Sequence, residues 1–188
     1  MTEQPADVIT ARSSKPSVKS EVWGWIRFLL IIGAAFLIIH NLAGLTKVSG
    51  NSMNPTLQNG NIMLINKLSL LFSEPKYGDV VTIKDERMDF SIIKRVIAVG
   101  GDKVAIRGGV VYVNGNPLAE LYTLGQSQDM DEVTVDPGHI FVAGDNRSPG
   151  ASLDSRDPGL GQILTSDVKG YAVVSLWPMH RIAKPLEL

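Results

Sequence analysis

An apolar stretch near the N-terminus constrains this chain more than any other feature. Residues Phe28 to Ile39 carry no polar side chain, and the apolar character extends over residues 22–45 with Arg27 as the only charged residue. These residues are enough for a membrane-crossing helix, which needs about 20. Arg27 can extend its stem to the lipid headgroups, and Trp23 and Trp25 suit the membrane interface. The sequence therefore predicts a transmembrane helix over residues 22–45.

The basic residues on either side of this stretch predict its orientation. Only Lys47 follows it closely, whereas four basic residues precede its core: Arg12, Lys15, Lys19 and Arg27. The positive-inside rule then predicts a single-pass protein of the cell membrane. Residues 1–21 form a disordered cytoplasmic tail in this interpretation, and residues 46–188 lie on the extracytoplasmic side. A cleaved signal peptide, cut near Ala43–Gly44, is the alternative interpretation.

Composition excludes several classes of function. The net charge is −1 and 20% of residues are charged, so a broad basic face for nucleic acid is not expected. The absence of cysteine rules out disulfides and thiol catalysis. The three histidines, His40, His139 and His180, have no metal-ligand spacing. We therefore expect no metal and no cofactor, and a protein that functions as a monomer.

The remainder of the chain has the pattern of an all-β domain. Short apolar runs between turn residues predict strands at 62–65, 80–83, 91–99, 104–106, 110–113, 133–135, 139–143 and 171–176. Asn114–Gly115 is a strong turn signal. No amphipathic helix is predicted after the apolar stretch, and the connections at 114–132 and 147–168 are long. The predicted fold class is mostly β, with the N-terminal transmembrane helix followed by one all-β domain over residues 46–188.

Two side chains stand out as candidates for hydrolytic chemistry. Ser52 lies in a Gly/Asn/Pro-rich segment, residues 49–57, shortly after the apolar stretch. Alone, this segment is better explained as an ordinary turn that contains a serine. Lys94 sits in an apolar, β-branched run, where burial would lower its pKa and make it a usable base. Taken alone, however, a lysine in a strand is usually an edge or solvent-facing residue. A catalytic His139 has weaker support, because this residue follows a Pro-Gly turn.

Together, four segments in order resemble the type I signal peptidases, a family of membrane-bound Ser-Lys proteases. The segments are Ser49–Leu57, Tyr77–Val81, Ile93–Asp102, and Gly144–Arg147 continuing in Ser152–Arg156. The single N-terminal apolar stretch and Gly50 are similar to the compact Gram-positive form. The resemblance implies an enzyme that removes signal peptides from exported preproteins by cutting after small-x-small sites, such as Ala-x-Ala. The peptide would bind as an added strand near residues 46–51 and 91–94.

The resemblance also implies a role for each matching residue. Ser52 would be the acylated nucleophile and an oxyanion donor through its backbone N–H, and Lys94 would be the general base. Ser152 would orient the lysine. Five residues would support the site structurally: Gly50, Arg95, Asp145, Asp154 and Arg156. Gly50 stands where some family members carry a serine hydroxyl donor, so the second oxyanion donor is not identified.

One departure from the family pattern leaves an alternative open. Ser148–Ala151 is four residues long where the pattern has two, so Ser148 or Ser155 could replace Ser152 beside the lysine. Two other kinds of protein are alternatives. A catalytically silent, membrane-anchored β module would bind exported peptides without cleaving them. A Ser-Lys self-cleaving repressor would carry an N-terminal helix-turn-helix where this chain has its apolar stretch.

Overall fold

A computed structural model describes residues 18–85 and 88–182. The part of the predicted tail up to residue 17 lies outside these residues. Helix α1 up to Ile39 is one compact unit, and the chain from His40 onward is another. The predicted division at residue 46 remains a prediction.

Helix α1 spans Val18–Leu42. It begins four residues before the predicted membrane segment, so residues 18–21 are helical and not part of an irregular tail. It also ends earlier than expected, because Ala43–Lys47 forms strand β1. There the backbone pairs with residues 62–66 instead of continuing the apolar helix. Within the described ranges, no helix combines the length and apolar character needed to cross a bilayer. The predicted transmembrane helix is therefore not confirmed.

The second unit is built on an eight-stranded antiparallel sheet. Its strands lie in the order β1, β2, β11, β3, β4, β9, β10, and β12 pairs with the end of β11. The bounds that follow β1 are β2 Ile62–Asn66, β3 Val80–Ile83, β4 Ile92–Val99, β9 His139–Ala143, β10 Ile163–Leu164, β11 Val168–Trp177 and β12 Met179–Arg181. Short 3-10 helices lie at Leu68–Leu71 and Thr165–Asp167.

A four-stranded sheet in the order β7, β6, β5, β8 extends this unit. Its bounds are β5 Lys103–Arg107, β6 Val110–Val113, β7 Asn116–Pro117 and β8 Met130–Thr134. Asn114 has φ of 52° and Gly115 of 81°, which closes the turn between β6 and β7. The mostly β fold is thus confirmed in this part of the chain.

Three apolar clusters hold the β unit together. The cluster that matters for function packs Met53 and Leu57 against four further buried residues: Val48, Met63, Ile65 and Val80. Met53 and Leu57 follow the candidate serine in the chain. Their side chains pack in the core on strands β2 and β3 and so anchor this segment. The candidate lysine lies on strand β4, in the middle of the sheet. The residues of β4 are buried except for one half-buried residue near each end of the strand.

Candidate active site

Ser52 lies in a compact loop between β1 and β2, called here the serine loop (residues 49–57). Gly50 has φ of 97°, a left-handed conformation that glycine adopts without strain. Its N–H donates to Asn59 Oδ1 at 3.1 Å. A turn follows in which Leu57 N–H donates to the carbonyl of Met53 at 2.9 Å. The backbone on both sides of Ser52 is therefore fixed.

Lys94 reaches Ser52 from the neighbouring part of the sheet. Its Nζ donates to Ser52 Oγ at 2.8 Å and to the carbonyl of Ile93 at 3.0 Å. Lys94 is only 3% exposed. Burial lowers the pKa of its ammonium group to about 8, although Asp154 and Asp145 raise it in part and Arg156 lowers it further. The amine is thus prepared to exchange a proton with the serine hydroxyl near neutral to mildly alkaline pH.

The next residue of β4, Arg95, forms a fully buried ion pair. Its Nε and Nη2 donate to the two carboxylate oxygens of Asp145 at 2.8 and 2.7 Å, and both residues are 0% exposed. Its Nη1 donates to the carbonyl of Gly78 at 3.0 Å. Such a bidentate geometry is needed to offset the cost of removing both charges from water. The pair ties β4 to the segment that follows β9.

A second ion pair lies on the same segment. Asp154 accepts from Arg156 Nε at 2.8 Å and Nη2 at 2.7 Å, and its Oδ2 also accepts from Gly144 N–H at 2.9 Å. Burial alone would raise the pKa of Asp154, but the hydrogen bonds and charge of Arg156 outweigh it and leave the pKa below its ordinary value. The carboxylate therefore stays charged and holds the Gly144 backbone.

This segment contacts the serine loop directly. Asn146 N–H donates to the carbonyl of Ser52 at 3.0 Å, and its Nδ2 donates to the carbonyl of Asn51 at 3.3 Å. A Cβ placed on Gly144 would collide with the Ser52 carbonyl and with Ser152 Oγ. Glycine is required at 144 because the two backbones pass so close together.

A third charged contact was missed by the sequence reasoning. Arg147 donates to both carboxylate oxygens of Glu120 at 2.7 and 2.6 Å, and Tyr122 Oη donates to Glu120 Oε1 at 3.0 Å. The Tyr122 ring lies 4.0 Å from the Arg95 guanidinium carbon. Glu120 and Tyr122 belong to the long connection 114–132, which contains no pattern that indicates its contact partners. In the sequence, Arg147 of the Gly-Asp-Asn-Arg run was the one residue that could have indicated this charged contact.

A cleft with a volume of about 440 Å³ opens beside Ser52 and Lys94. Its walls come from the end of β1, the serine loop and the start of β4. The apolar side chains that line the cleft include Val48, Met53, Phe90, Ile92, Ile93 and Leu153. The nucleophile and base candidates therefore face a groove bounded by strand backbone on two sides.

A family model for signal peptidase, peptidase S26, matches residues 22–177. Signal peptidase I of Bacillus amyloliquefaciens is 31% identical over 192 residues, which cover 96% of this chain and 97% of that protein. The chain belongs to the signal peptidase family S26. Signal peptidase I T of Bacillus subtilis (strain 168) is 32% identical and covers 97% of this chain and 98% of its own length. The resemblance deduced from the four segments is confirmed.

A crystal structure of a signal peptidase I from Enterococcus faecalis V583 is 28% identical, with a TM-score of 0.46. It covers 53% of this chain and 97% of that chain. The consistently named relatives identify the protein as a peptidase, and not as a silent peptide-binding module or a repressor.

The peptidase brings together most of the residues that the sequence singled out, but the predicted bond between Ser152 and Lys94 is not formed. Ser152 Oγ is buried and has no hydrogen-bond partner of ordinary geometry, although it is near enough to Asp154 to lower the pKa of that group. The Lys94 amine bonds to Ser52 Oγ and the Ile93 carbonyl instead.

The two alternative serines are engaged elsewhere. Ser155 Oγ accepts from Val142 N–H at 2.9 Å, and Ser148 lies against Gly125. The extra residues fold into a turn that Ala151 N–H closes on the Ser148 carbonyl at 3.1 Å. This turn absorbs the extra residues, and Ser152 lies beside Gly144.

Removal of the Asp145 carboxylate is expected to destabilise the fold strongly. Asp145→Ala leaves the Arg95 guanidinium buried without its counter-charge, which costs about 3–5 kcal/mol of unfolding free energy. The matched control is Glu132→Ala, because Lys103 and Glu132 are 58% and 45% exposed and 3.5 Å apart. That loss should cost at most about 1 kcal/mol. Denaturant unfolding of both variants gives the comparison, and equal losses would contradict the structural importance of the buried pair.

Proposed function

We propose that this peptidase is a membrane-anchored serine endopeptidase that removes N-terminal signal peptides from exported preproteins through a Ser52–Lys94 dyad. The observation that carries the proposal is the 2.8 Å contact between Nζ of the buried Lys94 and Ser52 Oγ, beside the cleft. The pKa of about 8 for Lys94 supports it, because about one tenth of the amine is neutral at pH 7. His139 plays no part in this proposal.

Acylation begins with the neutral Lys94 amine as general base. Nζ takes the hydroxyl proton while Ser52 Oγ attacks the scissile carbonyl carbon, and a tetrahedral oxyanion forms. The Lys94 ammonium then protonates the leaving amine nitrogen, and the C–N bond breaks. The signal peptide remains attached as an ester on Ser52, while the mature protein leaves with its new N-terminus.

Deacylation uses the same base. Lys94, neutral again, removes a proton from water as the water oxygen attacks the ester carbonyl, and the proton passes to Ser52 Oγ as the ester breaks. In the acylated state Ser52 Oγ no longer has a proton to share with Lys94. Ser152 Oγ, which is buried beside Gly144, is then proposed to orient the amine.

The Ser52 backbone N–H is proposed as the oxyanion donor. Its direction is set by the turn around Ser52 and by the bond from Asn146 Nδ2 to the carbonyl of Asn51, which shares a rigid peptide plane with this N–H. Gly50 supplies no hydroxyl, so the rest of the stabilisation falls on this fixed amide. Gly50, Arg95, Asp145, Asp154 and Arg156 act as structural support by holding the segments on which Ser52 and Lys94 lie.

An extended substrate fits the cleft as an added strand. The cleft walls come from residues 46–53 and 90–94, whose backbone can pair with a peptide on either side. Pockets bounded by Met53, Ile92 and Ile93 would admit small apolar side chains, consistent with cleavage after small-x-small sequences. An exported preprotein whose cleavage site lies in an extended segment is therefore the proposed substrate.

Helix α1 is proposed as the membrane anchor, with the catalytic unit on the extracytoplasmic side. Many apolar side chains of this helix are exposed. The guanidinium carbon of Arg27 lies 6.0 Å from the centroid of the Trp23 ring. Exposed apolar area of this extent is costly in water. We expect the full-length chain to stay with membranes after alkaline carbonate extraction, and a variant lacking residues 1–39 to be released. Release of the full-length chain would contradict the anchor.

Loss of either dyad residue should abolish processing of a model preprotein in detergent. Ser52→Ala removes the nucleophile and Lys94→Ala removes its base, so both rates should fall by about a thousandfold or more. Ser152→Ala should retain part of the activity, since this hydroxyl does not react. Lys84→Ala is the matched control, because Lys84 is exposed and lies outside the cleft. Cleavage by the Ser52 or Lys94 variant at the wild-type rate would refute the dyad.

The acidic limb of kcat/KM should lie near pH 8 and respond to the charges around Lys94. Asp154→Asn removes a charge that raises the pKa of Lys94, so the limb should move to lower pH. Arg156→Gln removes a charge that lowers this pKa, so the limb should move to higher pH. Rate profiles from pH 6 to 10 test the signs. Shifts in the same direction for both variants would refute Lys94 as the titrating base.

A further inference from the structure

His180 lies on the interior side of the sheet, close to the serine loop. In strand β12 the neighbouring residues Met179 and Arg181 are exposed, whereas His180 is half-buried. The antiparallel register places His180 opposite Ser175, which is itself opposite Met63, and the latter two residues are 0% exposed. Residues directly opposite one another in antiparallel strands point to the same face. The His180 ring is therefore directed inward.

Both ring nitrogens of His180 lie near carbonyl oxygens. Nε2 is 3.0 Å from the carbonyl oxygen of Thr56, and Nδ1 is 3.1 Å from that of Pro178. Thr56 belongs to the serine loop, four residues after Ser52, whereas Pro178 is in the turn that leads into β12. The Nε2 contact thus joins the C-terminal strand to the loop that carries the nucleophile.

Within the described residues, the C-terminal part of the serine loop is also held by the Leu57 N–H bond to the Met53 carbonyl and by an isolated β-bridge between Pro55 and Thr123. Asn59 binds Gly50, and Asn146 binds the carbonyls of Ser52 and Asn51, all on the N-terminal side of Pro55. On the C-terminal side a groove of about 380 Å³ separates the loop from the turn between β11 and β12. Pro55, Thr56 and His180 line this groove. The histidine ring makes a direct polar link across it.

We propose that His180 is a positioning residue for Ser52, acting through an Nε2–H bond to the carbonyl of Thr56 that sets the serine loop against Lys94. The inference rests on the proposed function, since it gives His180 a purpose only if Ser52 is the nucleophile. A neutral imidazole carries hydrogen on one nitrogen, and the proposal assigns it to Nε2. His180 does not line the substrate cleft, so its loss should change turnover and not substrate binding.

His139 provides a natural control within the same chain. It also follows a proline by two residues, and its Nδ1 lies 3.1 Å from the carbonyl oxygen of Pro137. The local Nδ1 contact is therefore the same in both histidines. His139 lies on β9, whereas the contact with the serine loop belongs to Nε2 of His180. Substitution of His139 removes an equivalent ring without touching the serine loop.

The experiment compares three substitutions of His180 in the full-length protein. The amide nitrogen of glutamine can occupy the place of Nε2, whereas that of asparagine reaches only the place of Nδ1. His180→Ala should lower kcat roughly tenfold with KM unchanged, because small misplacements of a reacting group are costly. His180→Gln should recover most of this loss and His180→Asn should not. His139→Ala should keep the wild-type kcat, and thermal unfolding of each variant identifies any general loss of structure.

Several results would overturn the proposal. Wild-type kcat in His180→Ala, equal rescue by Gln and Asn, or failure of Gln to rescue would each exclude a role for the Nε2 bond. Nitrogen-15 NMR of His180 in the wild-type chain gives a readout that does not depend on peptidase activity. Hydrogen on Nε2 is expected, and a ring protonated on Nδ1 alone would contradict the bond. If the NMR result is as expected but no preprotein is cleaved, the proposed function fails and the contact stands.

Discussion

The buried Arg95–Asp145 ion pair is the interaction on which the arrangement of the site depends. Arg95 follows Lys94 on β4, and Asp145 precedes Asn146, which holds the Ser52 carbonyl. The pair therefore fixes the strand that carries the proposed base relative to the segment that supports the proposed nucleophile. Both charges are fully buried, so neither partner can be lost without leaving the other uncompensated. This constraint lets a lysine stay at bonding distance from a serine 42 positions earlier in the chain.

Burial and the surrounding charges together give Lys94 the lowered pKa that its proposed role as a base requires. Burial in the sheet disfavours the ammonium form and is the largest influence on its pKa. Asp154 and Asp145 act against burial, but each is already paired with an arginine, which limits its effect on the lysine. The two ion pairs thus perform two tasks: they hold backbone segments in place, and they keep carboxylates near the amine without restoring its full basicity.

Sequence patterns predicted the strands from Ile62 onward well, because apolar alternation and Gly-rich turns report local geometry. They placed Ser52 and Lys94 as candidates, and only the family resemblance joined them. The predicted end of the helix was wrong. Ala43–Lys47 has no apolar alternation and becomes a strand because it pairs with β2. Glu120, Tyr122 and His180 were missed as contributors because their partners are distant in sequence: Arg147, Arg95 and Thr56. Such contacts depend on tertiary structure, which no local pattern encodes.

The central claim is that Lys94 is the base because its buried amine loses its proton near neutral pH. The most direct measurement is an NMR titration of the Lys94 side chain in the full-length, detergent-solubilised protein, with assignment by the Lys94→Ala variant. The account predicts a midpoint at about pH 8. A midpoint above about 10, as for a solvent-exposed lysine, would contradict it.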